Sequence, residues 1–292
     1  MSHFFDLTLN GISAGMIYAA VALGLVLIWR ATRVINFAQG SMAMFTTYLA
    51  VTLLDRQVGY WEAFVVALLA GLAFGAVVER VFIRPLRGKP EINAVIVTLG
   101  LLILLEGLAG AIYGVRNRGF PAAFSQSGLS IGGRRVSFSH FDVFILVAVV
   151  ALMLSMVVLF RATDLGLRMR ASAFAPEMAR LAGVRVGRIL TLGWAVASFA
   201  GSLAGLLVAP TAAFSPDYMD LILVYAFTAA VVGGLDSPAG SLIGGLLTGL
   251  ALSYVGGYLG SSLEPLGAAA ILIVVLGSRP EGLFARPTPR QV

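Results

Sequence analysis

The sequence predicts an all-α polytopic membrane protein, a compact glycine-rich bundle of eight or nine transmembrane helices, and three observations lead there. Of 292 residues, 59% are hydrophobic and 12% are charged, half the charge of about 25% found in an average soluble domain. The apolar residues gather in runs long enough to cross a bilayer. The 34 glycines fall largely inside those runs. A water-soluble globule of this composition would lack polar surface, which excludes a cytosolic enzyme, a nucleic-acid reader and a disordered chain. The net charge of +6 does not alter that reading, because the 20 basic residues sit in short clusters between apolar runs. No cysteine is present, so a disulfide framework, thiolate metal sites and a cysteine nucleophile are excluded.

A helix crossing about 30 Å of hydrocarbon needs roughly 20 mostly apolar residues. Runs of that kind cover 9–29, 36–54, 61–82, 92–114, 141–160 and 189–209. The first is read as a permanent span, because the opening MSHFFDLTLNG lacks the basic region of a cleaved leader. After Asp220 the apolar sequence resumes, broken by GGLDSPAG at 233–240, and gives three more segments: 221–234, 239–258 and 265–277. The first and last of these are short for a full span, which leaves the count at eight or nine.

Direction follows from the basic residues. With nine spans and the N-terminus outside, 15 of the 20 fall on the cytoplasmic side, in clusters at 30–33, 80–89, 161–188 and 279–290. Arg56, Arg116, Arg118, Arg134 and Arg135 remain outside. That ratio obeys the positive-inside rule, and the reverse orientation violates it. Glycines four apart, Gly11/Gly15, Gly71/Gly75, Gly110/Gly114, Gly201/Gly205, Gly240/Gly244 and Gly245/Gly249, predict helix backbones in close contact.

Two loops exceed connector length. The external one, about 115–140, contains SGLSIGGRRVSFSH, which alternates like a hairpin turning at Gly132-Gly133. The cytoplasmic one, about 161–188, reads RATDLGLRMRASAFAPEMARLAGVRVGR. Its 172–182 stretch predicts one short helix, with Pro176 and Glu177 suited to a first turn and Gly183 to the stop. Ala179 and Ala182 are small enough to admit another protein's surface. The arginines around them suit either such a partner or anionic lipid headgroups.

Polar groups inside the spans are the candidates for a pathway. Asn36 and Gln39 open the second span, Thr98 and Gly100 lie in the fourth, and Gly233-Gly234 interrupts the seventh. Broken helices are how membrane proteins offer backbone groups to a polar solute, although polar glue between helices explains the same residues. Glu106 is read as the one acidic residue well inside a span, paired with Arg116 or Arg118 if structural and a proton relay if functional. His3 and His140 are the only histidines, and neither offers metal-ligand spacing. Gly88-Lys89 is followed by Pro90, so no phosphate-cradling loop forms and the chain carries no ATPase site of its own.

Segment 171–183 resembles the coupling loop of the permease subunits of bacterial ABC importers, an Ala-rich short helix followed by Gly. VINFAQGS at 34–41, ERVFIRPLRG at 79–88, VTLGLLILLEG at 97–107, VVGGLDSPAGSLIGGLLTGL at 231–250 and RPEGLFA at 279–285 narrow the resemblance to the branched-chain amino acid permeases of the LivH/LivM type. The resemblance implies a single permease domain over 1–292, in a bacterial inner membrane, translocating branched-chain or related amino acids. It implies a second, LivM-like permease, two cytoplasmic ABC ATPase subunits and a periplasmic or extracellular solute-binding protein as partners, with the lipid bilayer as solvent and no cofactor or nucleic acid. Arg170, Ala171, Pro176, Glu177, Ala179, Ala182 and Gly183 are then the ATPase-coupling loop. Gln39 stands where many members carry His, and Ser41 where many carry Glu, so urea or short amides stay open as cargo. An ion-coupled carrier acting alone is the more distant alternative, and it turns on Glu106.

Overall fold

The computed structural model describes residues 2–131, 134–279 and 281–284. In chain order it contains α1 (Ser2–Thr32), α2 (Gln39–Asp55), α3 (Tyr60–Val78), α4 (Glu91–Tyr113), strands β1 (Gly128–Ile131) and β2 (Arg134–Ser139), α5 (His140–Ala162), α6 (Asp164–Phe174), α7 (Pro176–Leu181), α8 (Val186–Val208), α9 (Asp220–Gly233), α10 (Pro238–Tyr258) and α11 (Glu264–Ser278). The fold is thus mostly helical. Among the described residues seven helical stretches are long and apolar enough to cross a membrane, those built on α1, α3, α4, α5, α8, α10 and α11. A shorter apolar helix, α9, has 14 residues, and α2 has 17.

Helix ends sort onto two faces of the bundle, as contacts between distant residues establish. At one end His3 meets the Gly257 carbonyl, the Ser137 amide donates to Asp6, and Arg118 pairs with Phe214 in a backbone bridge. At the other, Arg33 meets Asp236, Arg84 donates to the Gly187 carbonyl, and the Leu283 amide donates to Val232. The second end also carries α6 and α7.

Helix α1 forms the centre. Of its most apolar window 89% is buried inside the chain, and it packs along α10, α8 and α9. Lipid gives no hydrophobic drive for helices to associate, so close backbone approach must hold them. The paired glycines supply it. A methyl group on Gly15 would stand 2.8 Å from the Gly245 carbonyl oxygen, and one on Gly11 would stand 2.9 Å from Leu250 Cα. Gly71 and Gly75 seat α3 against Ser198, Ser202 and the Trp194 backbone of α8. Gly110/Gly114 is the exception to the expected pattern: Gly110 meets only Val115, and Gly114, at φ +79°, ends α4. Around this centre α3, α4, α5 and α11 turn aliphatic faces outward, and Val65, Leu69, Val147, Leu154, Ile273 and Val274 are all exposed.

Strands β1 and β2 pair antiparallel, with Ile131 opposite Arg134, while the expected turn residues Gly132-Gly133 lie outside the described residues. From β2 the chain enters α5 through a capping box. The Asp142 amide donates to Ser139 Oγ, and the Ser139 amide returns to Asp142 Oδ2. Ser13 Oγ donates to Asp142 Oδ1 at 2.6 Å and ties that cap to α1.

Two expected elements differ. Residues 36–38 are not helical, so α2 starts at Gln39. The single short helix from Ser172 is replaced by two. Ser172 belongs to α6, which stops where Ala175 takes φ −143° and ψ 76°, and α7 begins at Pro176. A proline disfavours helical backbone in the residue before it and has no N–H to continue the ladder.

Substituting Gly249→Val drives side-chain atoms into the Gly15 backbone. We expect it to destabilise the purified protein by about 3 kcal/mol, the upper part of the overpacking range. Gly107→Ala, where nothing lies within 4 Å, should leave the melting temperature unchanged. Equal melting temperatures for the two variants would refute the close-packing account.

Candidate functional site

The candidate site grows from the break before α2. Residues 34–38, which are not helical and turn at Phe37-Ala38, enter the bundle interior, where backbone groups have no water to pair with. Asn36 and Gln39 are both fully buried there; Asn36 pairs with the Ala38 amide and Gln39 ties the break to α8. Asn36 Oδ1 accepts from the Ala38 amide at 3.1 Å, Asn36 Nδ2 donates to Gln39 Oε1 at 3.1 Å, and Gln39 Nε2 donates to the Ala197 carbonyl of α8 at 2.8 Å. Gly24 of α1 and Gly201 of α8 flank that amide so closely that a methyl group at either would collide with it. Thr98, also fully buried, reaches the Ile35 carbonyl at 3.4 Å.

The break fixes where α2 begins, and α9 begins beside it. Gly40 abuts Met219 and Leu223, so the N-termini of two short helices meet inside the bundle. Around the junction stand three acidic residues. Ser41 Oγ donates to Glu106 Oε1 at 3.3 Å, the Asp220 carboxyl lies against Glu106, and Asp217 is close by. Glu106 is 15 residues from the start of α4, hence about 22 Å along its axis at 1.5 Å per residue. That depth is well inside hydrocarbon if this face meets lipid. Glu106 is nonetheless only half-buried, and Asp220 is exposed.

Leu99, Gly100, Ile103, Glu106 and Gly107 share one stripe of α4 by helical spacing. Ile103 is exposed, and open space surrounds Gly100 and Gly107. Thus Gly100 and Glu106 share this surface, whereas Asn36, Gln39 and Thr98 lie behind it. Gly233 and Gly234 are elsewhere, buried in the turn between α9 and α10, where Gly233 packs on Gly240 and Gly234 on Gly282. The pairing of Glu106 with Arg116 or Arg118 that a structural role would use is not formed among the described residues: Arg118 extends to Asp55 at 3.8 Å and donates to the Tyr113 carbonyl.

At the opposite end lies the α6–α7 segment. Thr163 caps α6 through the Gly166 amide at 3.3 Å, and Gly183, at φ +80°, ends α7, with its amide donating to Arg180 and the Val184 amide to Ala179. Ala179 is 5% exposed and faces inward, so it does not offer the small surface expected of it. Instead Met178 at 66% and Leu181 at 84% stand outward, with Glu177, Arg180, Ala182 and Gly183 exposed around them. Ala171 and Arg170, on α6, are exposed as well.

Sequence reasoning missed Glu79, which lies in a span, is 0% exposed, and makes Glu106 not the lone acid there. Helix α3 leaves through a π-turn at Glu79–Ile83 and a tight turn at Arg84–Leu86. Those turns wrap Arg84 and Arg87 around the carboxylate: Arg84 Nη2 lies 3.1 Å from Oε2, and Arg87 Nη2 bonds Oε1. Thr191 of α8 donates to Oε2 at 2.6 Å and accepts from Arg84 at 2.7 Å. The E-R-x-x-x-R-P-x-R spacing carries the signal, although by sequence these arginines read as loop charge and as part of the ERVFIRPLRG resemblance, not as partners of Glu79.

The family model described as "Branched-chain amino acid transport system / permease component" matches residues 7–276. Among curated proteins, the high-affinity branched-chain amino acid transport system permease protein LivH of Escherichia coli (strain K12) is 29% identical over 304 residues, 99% of this chain and 98% of that protein. The corresponding permease protein BraD of Pseudomonas aeruginosa is 30% identical over 306 residues, again 99% and 98%. A probable branched-chain amino acid transport permease protein LivH of Methanocaldococcus jannaschii is 30% identical over 252 residues, 83% and 78%. No solved structure matches the chain.

Removing one side of a buried ion pair leaves an uncompensated charge and costs about 3–5 kcal/mol. The double change Arg84→Ala with Arg87→Ala strands the enclosed Glu79 carboxylate and should destabilise the purified protein by about 3 kcal/mol or more. Glu79→Gln leaves arginines that are 34% and 30% exposed and reach water, so its loss in a thermal unfolding assay should be smaller.

Proposed function

The chain belongs to the branched-chain amino acid transport system permease family, and from that premise we propose that it is the membrane-crossing subunit of an ABC importer, carrying branched-chain or closely related amino acids. The match over residues 7–276 carries this reading. The whole chain, 1–292, acts as one permease unit. Its cofactors are none, and ATP is hydrolysed by two cytoplasmic ATPase subunits that it recruits. A second permease of the same family completes the channel, and a solute-binding protein delivers the cargo.

In this reading α2 and α9 are short crossing elements that raise the span count above the seven full-length helices, with eight or nine as the total. The end carrying α6 and α7 is cytoplasmic, which puts the N-terminus outside. The gathering of Arg33, Arg84, Arg87, Arg180, Arg185 and Arg188 near that end supports the direction. The coupling loop comprises Arg170, Ala171, Pro176, Glu177, Ala179, Ala182 and Gly183. Met178 and Leu181 serve as its apolar anchors in a groove of the ATPase, ringed by charge in the manner of a hot spot and rim.

The pathway runs over the α4–α9 surface, past Gly100, Glu106 and Asp220. Carboxylates half-exposed at that depth cannot face hydrocarbon at reasonable cost, so water and the second permease border them. Asn36, Gln39 and Thr98 hold the break open from behind, and the Gly233-Gly234 turn lets α9 and α10 pack closely as the bundle moves between its two states. The Glu106–Asp220 pair is the one observation favouring an ion-coupled carrier as a second reading. Transport by the purified chain alone in liposomes, driven by an ion gradient without ATP, would establish that reading in place of the first. Urea and short amides are tested as competitors of leucine uptake by the complete importer.

The absence of cysteine makes labelling clean. In membranes carrying the complete importer, Gly107→Cys and Val224→Cys should react with a water-soluble thiol reagent, whereas Val147→Cys and Ile273→Cys should not. Protection of the first pair would remove the pathway from this face. Leu181→Glu should lower co-purification of the ATPase subunit by about tenfold or more, ~1.4 kcal/mol, with the melting temperature unchanged. Full recovery of the complex would refute the docking assignment.

A further inference from the structure

Where the chain turns before α2, Phe37 lies against α9, its ring centroid 6.4 Å from that of Phe227. Beside that contact is a pocket of about 90 Å³, whose walls include Leu25 of α1, Leu223, Val224 and Phe227 of α9, and Asn36 with Phe37 from the break. One water needs only about 10–15 Å³ of such space, so there is room for a larger group. Asn36 is the polar residue of that wall, and its polar atoms are committed elsewhere. Its Oδ1 accepts from the Ala38 amide, and its Nδ2 donates to Gln39 Oε1 and faces Met42 Sδ. The pocket therefore suits an apolar group.

Asp220, Val224 and Phe227 stand at i, i+4 and i+7 of α9 and share one stripe. Asp220 and Val224 are both exposed along it, about 6 Å apart along the axis. The Asp220 carboxyl meets that of Glu106, which also accepts from Ser41 Oγ. Two adjacent carboxyls gather oxygen acceptors, and an ammonium brings three donors and the opposite charge. At ordinary bond lengths about 5 Å separate the nitrogen of leucine from its last methyl, which matches the step from Asp220 to Val224. A lipid tail would use the pocket but not the acids, and a metal cation would use the acids but not the pocket. We propose that this is where the permease reads its cargo: the ammonium of a branched-chain amino acid rests on Glu106 and Asp220, and its side chain enters the pocket at Phe37, Leu223, Val224 and Phe227. Resting on the importer reading above, the site gives this chain its own preference for a branched aliphatic side chain, beyond that of the solute-binding protein.

The test is the rate at which Val224→Cys reacts with a water-soluble methanethiosulfonate reagent in membranes carrying the complete importer. Saturating leucine should slow labelling of this chain about tenfold. Isopentylamine, which is leucine without its carboxylate, should slow it too, whereas isocaproate, which lacks the ammonium, should not. Glycine keeps the ammonium without the side chain and should need at least about tenfold more for equal protection. Adding Asp220→Asn should weaken protection by isopentylamine about tenfold. Labelling indifferent to leucine at its solubility limit, or to isopentylamine, overturns the site. Glycine or isocaproate protecting as well as leucine overturns it, as does full protection in the Asp220→Asn variant. A cysteine unreactive without ligand also overturns it, because a lipid tail or the second permease then fills the pocket. Leucine uptake by the wild-type importer separates the two readings: it persists if the site alone is wrong and is missing if the importer reading fails. The ligand series needs no change at Asp220, so misfolding of that variant leaves the test standing.

Discussion

A helix cannot be interrupted inside a bilayer unless something pairs the backbone groups it releases. In this chain Asn36 meets that requirement for the Ala38 amide, and Thr98 reaches the Ile35 carbonyl. Asn36 closes on the Ala38 amide and passes a hydrogen bond to Gln39, which passes one to the Ala197 carbonyl of α8. The network sets the first residue of α2, and the start of α2 sets everything around it. Ser41 is thereby brought to Glu106, Gly40 to Met219, and the surface bearing Glu106 and Asp220 is assembled from three helices distant in sequence.

One end of the molecule uses charge in two opposite ways. Glu79 is enclosed, and each of its oxygens is engaged by Arg84, Arg87 or Thr191. Such a site holds one geometry, clamping the exit of α3 to the first turns of α8. A few residues earlier in the chain, α6 and α7 present exposed arginines and bare apolar side chains on Met178 and Leu181. A rigid mount beside an uncommitted surface is the arrangement expected of a segment that passes a partner's motion inward.

Much of this was legible in the residues because lipid imposes simple rules. Hydrocarbon thickness marks the apolar runs, and glycines four apart mark helices in close contact, as on α1, α3, α8 and α10, without saying which helix meets which. What escaped were features set by three-dimensional partners. The spacing of Gly110/Gly114 is the same as that of Gly71/Gly75, yet only the second pair meets another helix. Ala179 and Ala182 look alike in sequence, and one is buried while the other is exposed. The split at Ala175 is announced by Pro176, but helix-favouring neighbours on both sides mask it in the sequence. Glu106 drew attention as a lone charge, and its neighbours came from α2 and α9, which no local pattern could reveal.

The placement of α1 at the centre bears on how the molecule is made. Chains enter the membrane in the order of their synthesis, so the most enclosed helix, α1, arrives before the helices that come to surround it. Its partner α10 starts more than 200 residues later. Until then the grooves at Gly11 and Gly15 stay open to lipid tails, which fill them poorly. The completed bundle is therefore a late event of biogenesis, assembled by helices closing around an early occupant, and a ribosome stalled before Pro238 would leave the central seam without its match.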